Sequence, residues 1–268
     1  RFDAMQIVDE VNIGDEIEKE VTPTGFGRIA TQYASQNLKQ HIRRAEKALI
    51  YEEFKDRTGD IVRGTVRRFE RSDVIIDLGR YEAILPNRER VPIEEYQTGE
   101  QLRCYVKAVE ETGRGPEIIL SRSAPEFVIK LFTLEVSEIA DGTVEIVAVA
   151  REPGWRTKLA VHSADSRVDP VGACVGLRGQ RVKNIMRELN NEKVAIIHWS
   201  PDIEAFVAEA LKPAVLKDIQ IKESEKRIQI TCTEDQLSLA IGKRGQNARL
   251  ASRLTGWQID IDGEKVEI

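Results

Sequence analysis

Val175-Gly176-Leu177-Arg178-Gly179-Gln180 recurs in a related form as Ile241-Gly242-Lys243-Arg244-Gly245-Gln246. The second copy lies 66 positions after the first, so Gly242 corresponds to Gly176. Both copies hold a glycine pair around basic residues, between an apolar run and an amphipathic run, and this pattern predicts a helix, a tight loop and a second helix. Glycines let the main chain approach a ligand, and the following helix presents free N–H groups and its positive dipole end to an anion. The repeat therefore predicts two phosphate-binding loops, with single-stranded RNA as the favoured ligand.

The repeat continues into the helix that follows each loop. Lys183 and Arg187 match Arg249 and Arg253 at the same offset, and their i,i+4 spacing places each pair on one helix face. Because Leu177 leaves a single cation inside the first loop, we expect the second loop to depend more strongly on phosphate contacts. The candidate RNA-binding residues are Gly176, Arg178, Gly179, Arg181, Lys183 and Arg187 in the first copy, and Gly242, Lys243, Arg244, Gly245, Gln246, Arg249 and Arg253 in the second.

A lone glycine-x-x-glycine motif has little weight, because ordinary helix-cap glycines produce it by chance. Two copies in the same sequence context favour phosphate binding over a chance occurrence. The alternative left open is a duplicated helix pair whose basic residues are merely solvated.

Composition narrows the function classes. With 268 residues, 41% of them hydrophobic, the chain has room for two or three domains, and its net charge of −5 means that any attraction for a polyanion must be local. No apolar run approaches the roughly 20 residues of a membrane helix, and no signal sequence is apparent. Cys104, Cys174 and Cys232 lack metal-ligand spacing. We expect a cytoplasmic protein without a metal, a cofactor or a membrane partner.

The first half of the chain changes pattern near residue 58. Helical spacing of apolar residues from Gly27 to Arg57 predicts one long helix. Five short alternating runs between residues 59 and 123 predict a small barrel of the OB type. Such barrels stack bases on exposed aromatic rings, so Phe69 and Tyr81 are candidate RNA-binding residues. Packing in the core or at the rim of the barrel is the equally open alternative for both.

The second half reads as two consecutive α-β-β-α-α-β units, one around each glycine loop. The sequence thus predicts an α+β multidomain protein with a long N-terminal helix, a five-stranded OB-type barrel and two tandem units. The linkers Ala124-Pro125 and Ser200-Pro201 are so short that we expect a stiff arrangement. The predicted domains are residues 1–57, 58–124, 125–200 and 201–268.

Three stretches resemble a known family: Ile50–Arg57 before the barrel, Asp169–Gly176 before the first loop and Asp235–Asn247 through the second. With the order of domains, they make the chain similar to the NusA family of bacterial transcription elongation, termination and antitermination factors. The resemblance implies an S-one type barrel and two KH modules of the prokaryotic topology. It also implies nascent single-stranded RNA as ligand, with RNA polymerase, other Nus factors and ribosomal proteins as partners in pausing, termination and antitermination.

The resemblance also leaves differences and alternatives. Most of the polymerase-binding head looks absent, so residues 1–57 would be its remnant and polymerase binding is in question.

One alternative is an accessory module of RNA metabolism, since an exoribonuclease family also carries KH and S-one modules. Another is a protein-docking scaffold. His41, His162 and His198 are isolated and no carboxylate cluster has catalytic spacing, so we expect no enzymatic activity.

Overall fold

The computed structural model describes residues 27–112 and 115–264. The chain divides into two compact units, residues 1–49 and 50–268. Helix α1 (Arg28–Lys55) has 28 residues and is about 42 Å long at 1.5 Å per residue, which confirms the predicted long helix. The part of the predicted 1–57 segment that precedes residue 27 lies outside the described residues.

After α1 the described chain forms a closed five-stranded barrel, as predicted. The strands follow the order β1-β2-β3-β5-β4, and β4 pairs again with β1. Side chains alternate along β1, so that Val62 and Val66 are buried while Arg63 is exposed. Gly64 is required where β1 crosses β2, because a Cβ there would lie 2.3 Å from Cγ2 of Ile76. The strands are β1 (Ile61–Glu70), β2 (Asp73–Asp77), β3 (Glu82–Leu85), β4 (Gln101–Thr112) and β5 (Gly115–Ser121).

The first of the two expected KH modules packs helices on a mixed three-stranded sheet in the described part of the chain. Its central strand β7 runs antiparallel to β6 and parallel to β8. The helices cover the buried side chains Leu159 and Val161 of β7. The short α3 was not predicted. In chain order the elements are α2 (Pro125–Glu135), α3 (Ser137–Ala140), β6 (Glu145–Glu152), β7 (Arg156–His162), α4 (Pro170–Val175), α5 (Gln180–Glu188) and β8 (Lys193–His198).

The second KH module repeats this arrangement and confirms the predicted tandem units. Central strand β10 is antiparallel to β9 and parallel to β11, so the sheet has the same mixed pattern as in the first module. Among the described residues the elements are α6 (Ile203–Leu211), β9 (Asp218–Lys222), β10 (Arg227–Thr233), α7 (Glu234–Ile241), α8 (Gln246–Thr255) and β11 (Gln258–Glu264).

Buried contacts join the barrel and the two KH modules. Ala160 and Ile197 of the first module share one hydrophobic core with Phe206, Leu250 and Leu254 of the second. A shared core resists relative rotation of the modules, because any rotation would expose apolar surface. This packing supports the expected stiff arrangement at Ser200-Pro201.

Ion pairs occupy the junction between barrel and first module. The guanidinium of Arg122 donates to Glu94 of the barrel at 2.6 Å and to the carbonyl oxygen of Glu188, at the end of α5, at 3.0 Å. Nearby, Arg151 donates to the buried carboxylate of Glu192 and to the carbonyl oxygen of Ala124. Breaking either pair would leave an uncompensated buried charge, so these contacts hold the Ala124-Pro125 linker in place.

Candidate nucleic-acid interface

The two glycine loops have the same backbone conformation. In the first, φ is 72° at Gly176, 54° at Arg178 and 74° at Gly179. At the matching positions of the second, φ is 73°, 55° and 72°. An arginine in the left-handed region is unfavourable by about 1 kcal/mol or more, and such strain is concentrated at functional sites. Both copies thus place an arginine in a strained conformation between their two glycines.

The first glycine of each loop makes room for a side chain from the following helix. A Cβ on Gly176 would lie 2.7 Å from the side chain of Arg181, and one on Gly242 would lie 2.7 Å from Cβ of Asn247. Nη1 of Arg181 donates to the carbonyl oxygen of Ala173 at 2.7 Å, and Nδ2 of Asn247 donates to that of Leu239 at 3.2 Å. The two donors are 66 positions apart in the sequence, and so are the two acceptors, Ala173 and Leu239. Both side chains therefore satisfy carbonyls at the end of the preceding helix.

Three loop cations face solvent. Arg178, Lys243 and Arg244 are exposed, and within 27–112 and 115–264 their side chains make no hydrogen bond or ion pair. Nζ of Lys183 folds over the first loop and donates to the carbonyl oxygen of Arg178 at 3.1 Å. Leu177, which stands where the second loop has Lys243, is 86% exposed. The second loop thus presents two unpaired cations and the first presents one.

Each loop leads directly into a helix whose first turn has no side-chain cap. Helix α5 begins after Gly179 and α8 after Gly245, both in the left-handed conformation. The first backbone N–H of each helix donates back to a carbonyl oxygen of the loop, and the positive dipole end lies at the same place. Arg187 and Arg253 are exposed further along the same helices. The helix dipole and the loop cations together make each loop favourable for a phosphate.

Two predicted RNA-binding arginines have carboxylate partners. Arg181 is half-buried and donates to Glu138 at 2.9 Å. Nε of Arg249 donates to Glu152 of the first module at 2.6 Å, and Nε2 of Gln246 donates to the same carboxylate at 2.8 Å. Burial acts to raise the pKa of Glu152, but these two hydrogen bonds outweigh it and hold the pKa below its usual value. Glu152 thus ties the second loop to the first module.

A buried lysine lies under the second loop. Nζ of Lys158, on β7, donates to Oδ1 of Asn247 at 2.6 Å and also to the carbonyl oxygen of Ala210. Burial, with the charge of Arg156 as a further cause, lowers the pKa of Lys158 to about 7. Sequence reasoning missed Lys158 and Glu152 because each lies far along the chain from its partner in the second module.

The barrel aromatics differ in exposure. Phe69 on β1 is 47% exposed, so its ring is available for stacking. Tyr81 packs against the barrel core, edge to face with Phe54 at a centroid distance of 5.8 Å. Both belong to a different domain from the glycine loops. Their roles in RNA binding stay predictions, with Phe69 the better placed.

Comparison with known proteins decides the family. Family models match at residues 2–48 (NusA N-terminal domain), 122–199 (NusA-like first KH domain) and 203–267 (NusA-like second KH domain). A relative from Bacillus subtilis is 49% identical over 262 residues, covering 98% of this chain and 71% of the relative. This chain belongs to the NusA family. The resemblance found in the sequence, and the fold it implied, are confirmed.

Other NusA relatives agree. Those from Halalkalibacterium halodurans and Thermus thermophilus are 48% and 44% identical, cover 98% and 99% of this chain, and are matched over 69% and 68% of their own lengths. All three relatives carry the name transcription termination/antitermination protein NusA. The exoribonuclease and docking-scaffold alternatives are not favoured by these matches.

The described residues of this NusA-family chain add two negative findings. No group of three or more His, Cys, Asp or Glu side chains among them has the arrangement of a metal site. Nor does any helix within that part of the chain have the length and apolar character needed to cross a membrane.

Proposed function

We propose that this NusA-family chain is an RNA-binding transcription factor that modulates pausing, termination and antitermination by RNA polymerase. Its two glycine loops would hold nascent single-stranded RNA. The observation that carries the proposal is that the glycine loop occurs twice, with the same strained backbone, exposed cations and a helix that starts directly after it in both copies. A KH glycine loop clamps the backbone of about four nucleotides, so two loops fixed by a shared core would form one longer track.

The roles of the residues follow from their partners. Arg178, Lys243 and Arg244 would contact phosphates directly, since their side chains are exposed and unpaired in the part of the chain described above. The exposed Arg187 and Arg253 would steer the strand along α5 and α8. We assign Arg181, Gln246 and Arg249 chiefly to shaping the loops, because carboxylates or carbonyls hold their side chains. Lys183, donating across the first loop, would support it and add positive charge.

The partners of the transcription machinery belong to the same proposal. The match of residues 2–48 to the NusA N-terminal domain supports a role for this segment in binding RNA polymerase. Other Nus factors and ribosomal proteins would join in antitermination, and the site of action would be the cytoplasm. No catalytic step is proposed, in keeping with relatives named as transcription termination/antitermination proteins.

RNA binding is tested by fluorescence anisotropy with a labelled unstructured RNA. Wild type is compared with Lys243→Asp/Arg244→Asp and with the control Arg167→Asp/Lys217→Asp, which makes the same change in net charge at exposed side chains paired with Asp165 and Glu264. We expect the loop variant to bind at least about 100-fold more weakly, because each of the two charge-assisted contacts that it removes contributes about 1.5–3 kcal/mol. The control variant should bind within about threefold of wild type.

Equal circular dichroism and thermal midpoints would establish that all three proteins fold alike. A loop variant that binds like wild type would overturn the glycine-loop clamp. Transcription in vitro with bacterial RNA polymerase supplies the functional readout. The wild-type chain should lengthen a hairpin-stabilised pause and the loop variant should do so less; no effect of the wild-type chain on pausing, termination or antitermination would contradict the proposed function.

A further inference from the structure

A small open cavity lies where the second glycine loop meets the first module. It has a volume of about 260 Å³, close to the roughly 300 Å³ at which small-molecule sites begin. One wall is the turn between β6 and β7, and the other is the second loop with the start of α8. The lining residues are Glu152, Trp155, Lys243, Arg244, Gln246 and Arg249.

Trp155 is the apolar wall of this cavity, and its side chain is 56% exposed. A large indole left in solvent contributes little to a core, and at this cationic cavity its flat face is available to a ligand. Two hydrogen bonds fix the β6–β7 turn that carries Trp155. The backbone N–H of Gly154 donates to the buried carboxylate of Glu192 at 2.7 Å, and the carbonyl oxygen of Trp155 accepts from the N–H of Lys193 at 3.2 Å.

The barrel fixes the same turn from another side. A Cβ on Gly154, where φ is 82°, would lie 2.6 Å from Cγ1 of Ile93, so the turn is in close contact with the barrel loop. The backbone beneath the indole is thus anchored by two domains. A platform held this way loses little conformational freedom when a base stacks on it.

The charges of the cavity suit a phosphate next to that base. Glu152, the acid in the lining, is engaged by Arg249 and Gln246 at 2.6 and 2.8 Å, so its negative charge is compensated. Lys243 and Arg244 remain unpaired within the described residues, and their charge is available to an incoming anion. An aromatic plane beside two free cations is the combination by which proteins bind single strands without reading sequence.

We propose that this cavity is a nucleotide subsite for single-stranded RNA, in which one base stacks on the indole of Trp155 while an adjacent phosphate is held by Lys243 and Arg244. The inference rests on the proposed function and deepens it. It places part of the strand between the two modules, so that the first module contributes a contact to RNA gripped by the second loop. Trp155 becomes an RNA-binding residue outside both glycine loops.

The test combines protein variants with RNA that lacks a single base. An unstructured RNA of the shortest length that still binds with full affinity, so that it cannot shift along the protein, is prepared with one abasic site at each position in turn, which removes a base and keeps every phosphate. With wild-type protein we expect one position at which the abasic site weakens binding about tenfold, in line with the contribution of a stacked base. Trp155→Ala should weaken binding of the intact RNA by a similar factor and lose its sensitivity to that position.

Trp155→Phe is the matched control, because a phenyl ring can still stack. It should bind intact RNA within about threefold of wild type and keep the abasic sensitivity. A second readout is tryptophan emission. RNA should quench part of the emission of wild type, and that part should be missing in Trp155→Phe, which binds RNA without the indole.

The outcomes separate the subsite from the proposed function. If Trp155→Ala binds RNA like wild type while Lys243→Asp/Arg244→Asp does not, the subsite is wrong and the loop clamp stands. If neither variant changes RNA affinity, both proposals fail.

Discussion

The first glycine loop, residues 176–179, and the second, residues 242–245, agree within 2° in φ at all three left-handed positions, yet they lie in different surroundings. The first carries one free cation and the exposed Leu177, and its supporting Arg181 pairs with Glu138 of its own module. The second carries two free cations. Its supporting residues reach into the other module, where they meet Glu152 and Lys158.

This contrast shows which properties a duplicated unit keeps. Backbone conformation is set by the loop itself, through glycines and the side chain packed beneath them, so both copies retain it. The contacts that each loop makes with its surroundings depend on where that copy lies in the chain. The second copy lies at the junction between modules, where the first module supplies an aromatic wall and a carboxylate. We therefore expect the second loop to dominate RNA binding and to be the more sensitive to changes in the first module.

The largest effect should come from the first glycine of each loop. We expect Gly242→Ala to lower the free energy of unfolding by about 3 kcal/mol or more, because backbone strain of about 1–3 kcal/mol is joined by a clash with the backbone nitrogen of Asn247, 2.9 Å from the new Cβ. Gly176→Ala should be less destabilising by at least about 1 kcal/mol, since the three nearest atoms that its Cβ would meet are all side-chain atoms of Arg181 rather than backbone. Urea denaturation measures both.

Gly142→Ala supplies the control for these variants. Gly142 also has a positive φ, 80°, but a Cβ there would meet no atom within 4 Å, so its destabilisation reports backbone strain alone. Equal destabilisation by Gly242→Ala and Gly142→Ala would show that packing under the second loop is not what requires glycine.

A second expected effect is a pH dependence of stability that arises from Lys158, beneath the second loop. Lys158 has a folded-state pKa of about 7, below its usual 10.5, so between these values the unfolded chain binds more protons and the free energy of unfolding rises with pH. The difference between wild type and Lys158→Met should rise from pH 7 toward pH 9, by at most about 1.4 kcal/mol per pH unit. Denaturation at a series of pH values measures it, and a flat difference would show that Lys158 does not titrate in this range.

The smallest expected effect concerns the two carboxylates. Glu152→Gln removes a negative charge beside the second loop and frees Arg249, so RNA affinity should rise about threefold at low salt. Glu138→Gln should change affinity less, because Arg181 stays bound to the carbonyl oxygen of Ala173. Anisotropy titrations in parallel compare them. Weaker RNA binding by Glu152→Gln would mean that holding Arg249 in place matters more than charge.

The sequence predicted the parts of this structure that local patterns determine. Alternation of apolar residues located the barrel strands, helical spacing located α1, and the repeated glycine motif located both loops and their exposed cations. Contacts distant in sequence stayed hidden. Arg249 looked like an RNA ligand on its helix face, and nothing local to it indicates a partner 97 residues earlier. Trp155 gave no signal either, because its importance comes from facing a loop in the other module.

The dominance of the second loop is best measured through the salt dependence of RNA affinity for three proteins: wild type, Arg178→Asp and Lys243→Asp/Arg244→Asp. For a single strand the slope of log affinity against log salt changes by about 0.7 for each phosphate that the protein no longer neutralises. We expect the second-loop variant to flatten the slope by about 1.4 and to bind RNA the more weakly, and Arg178→Asp to flatten it by about 0.7. Wild-type slope and affinity in the second-loop variant, with binding abolished by Arg178→Asp, would contradict this ranking of the two loops.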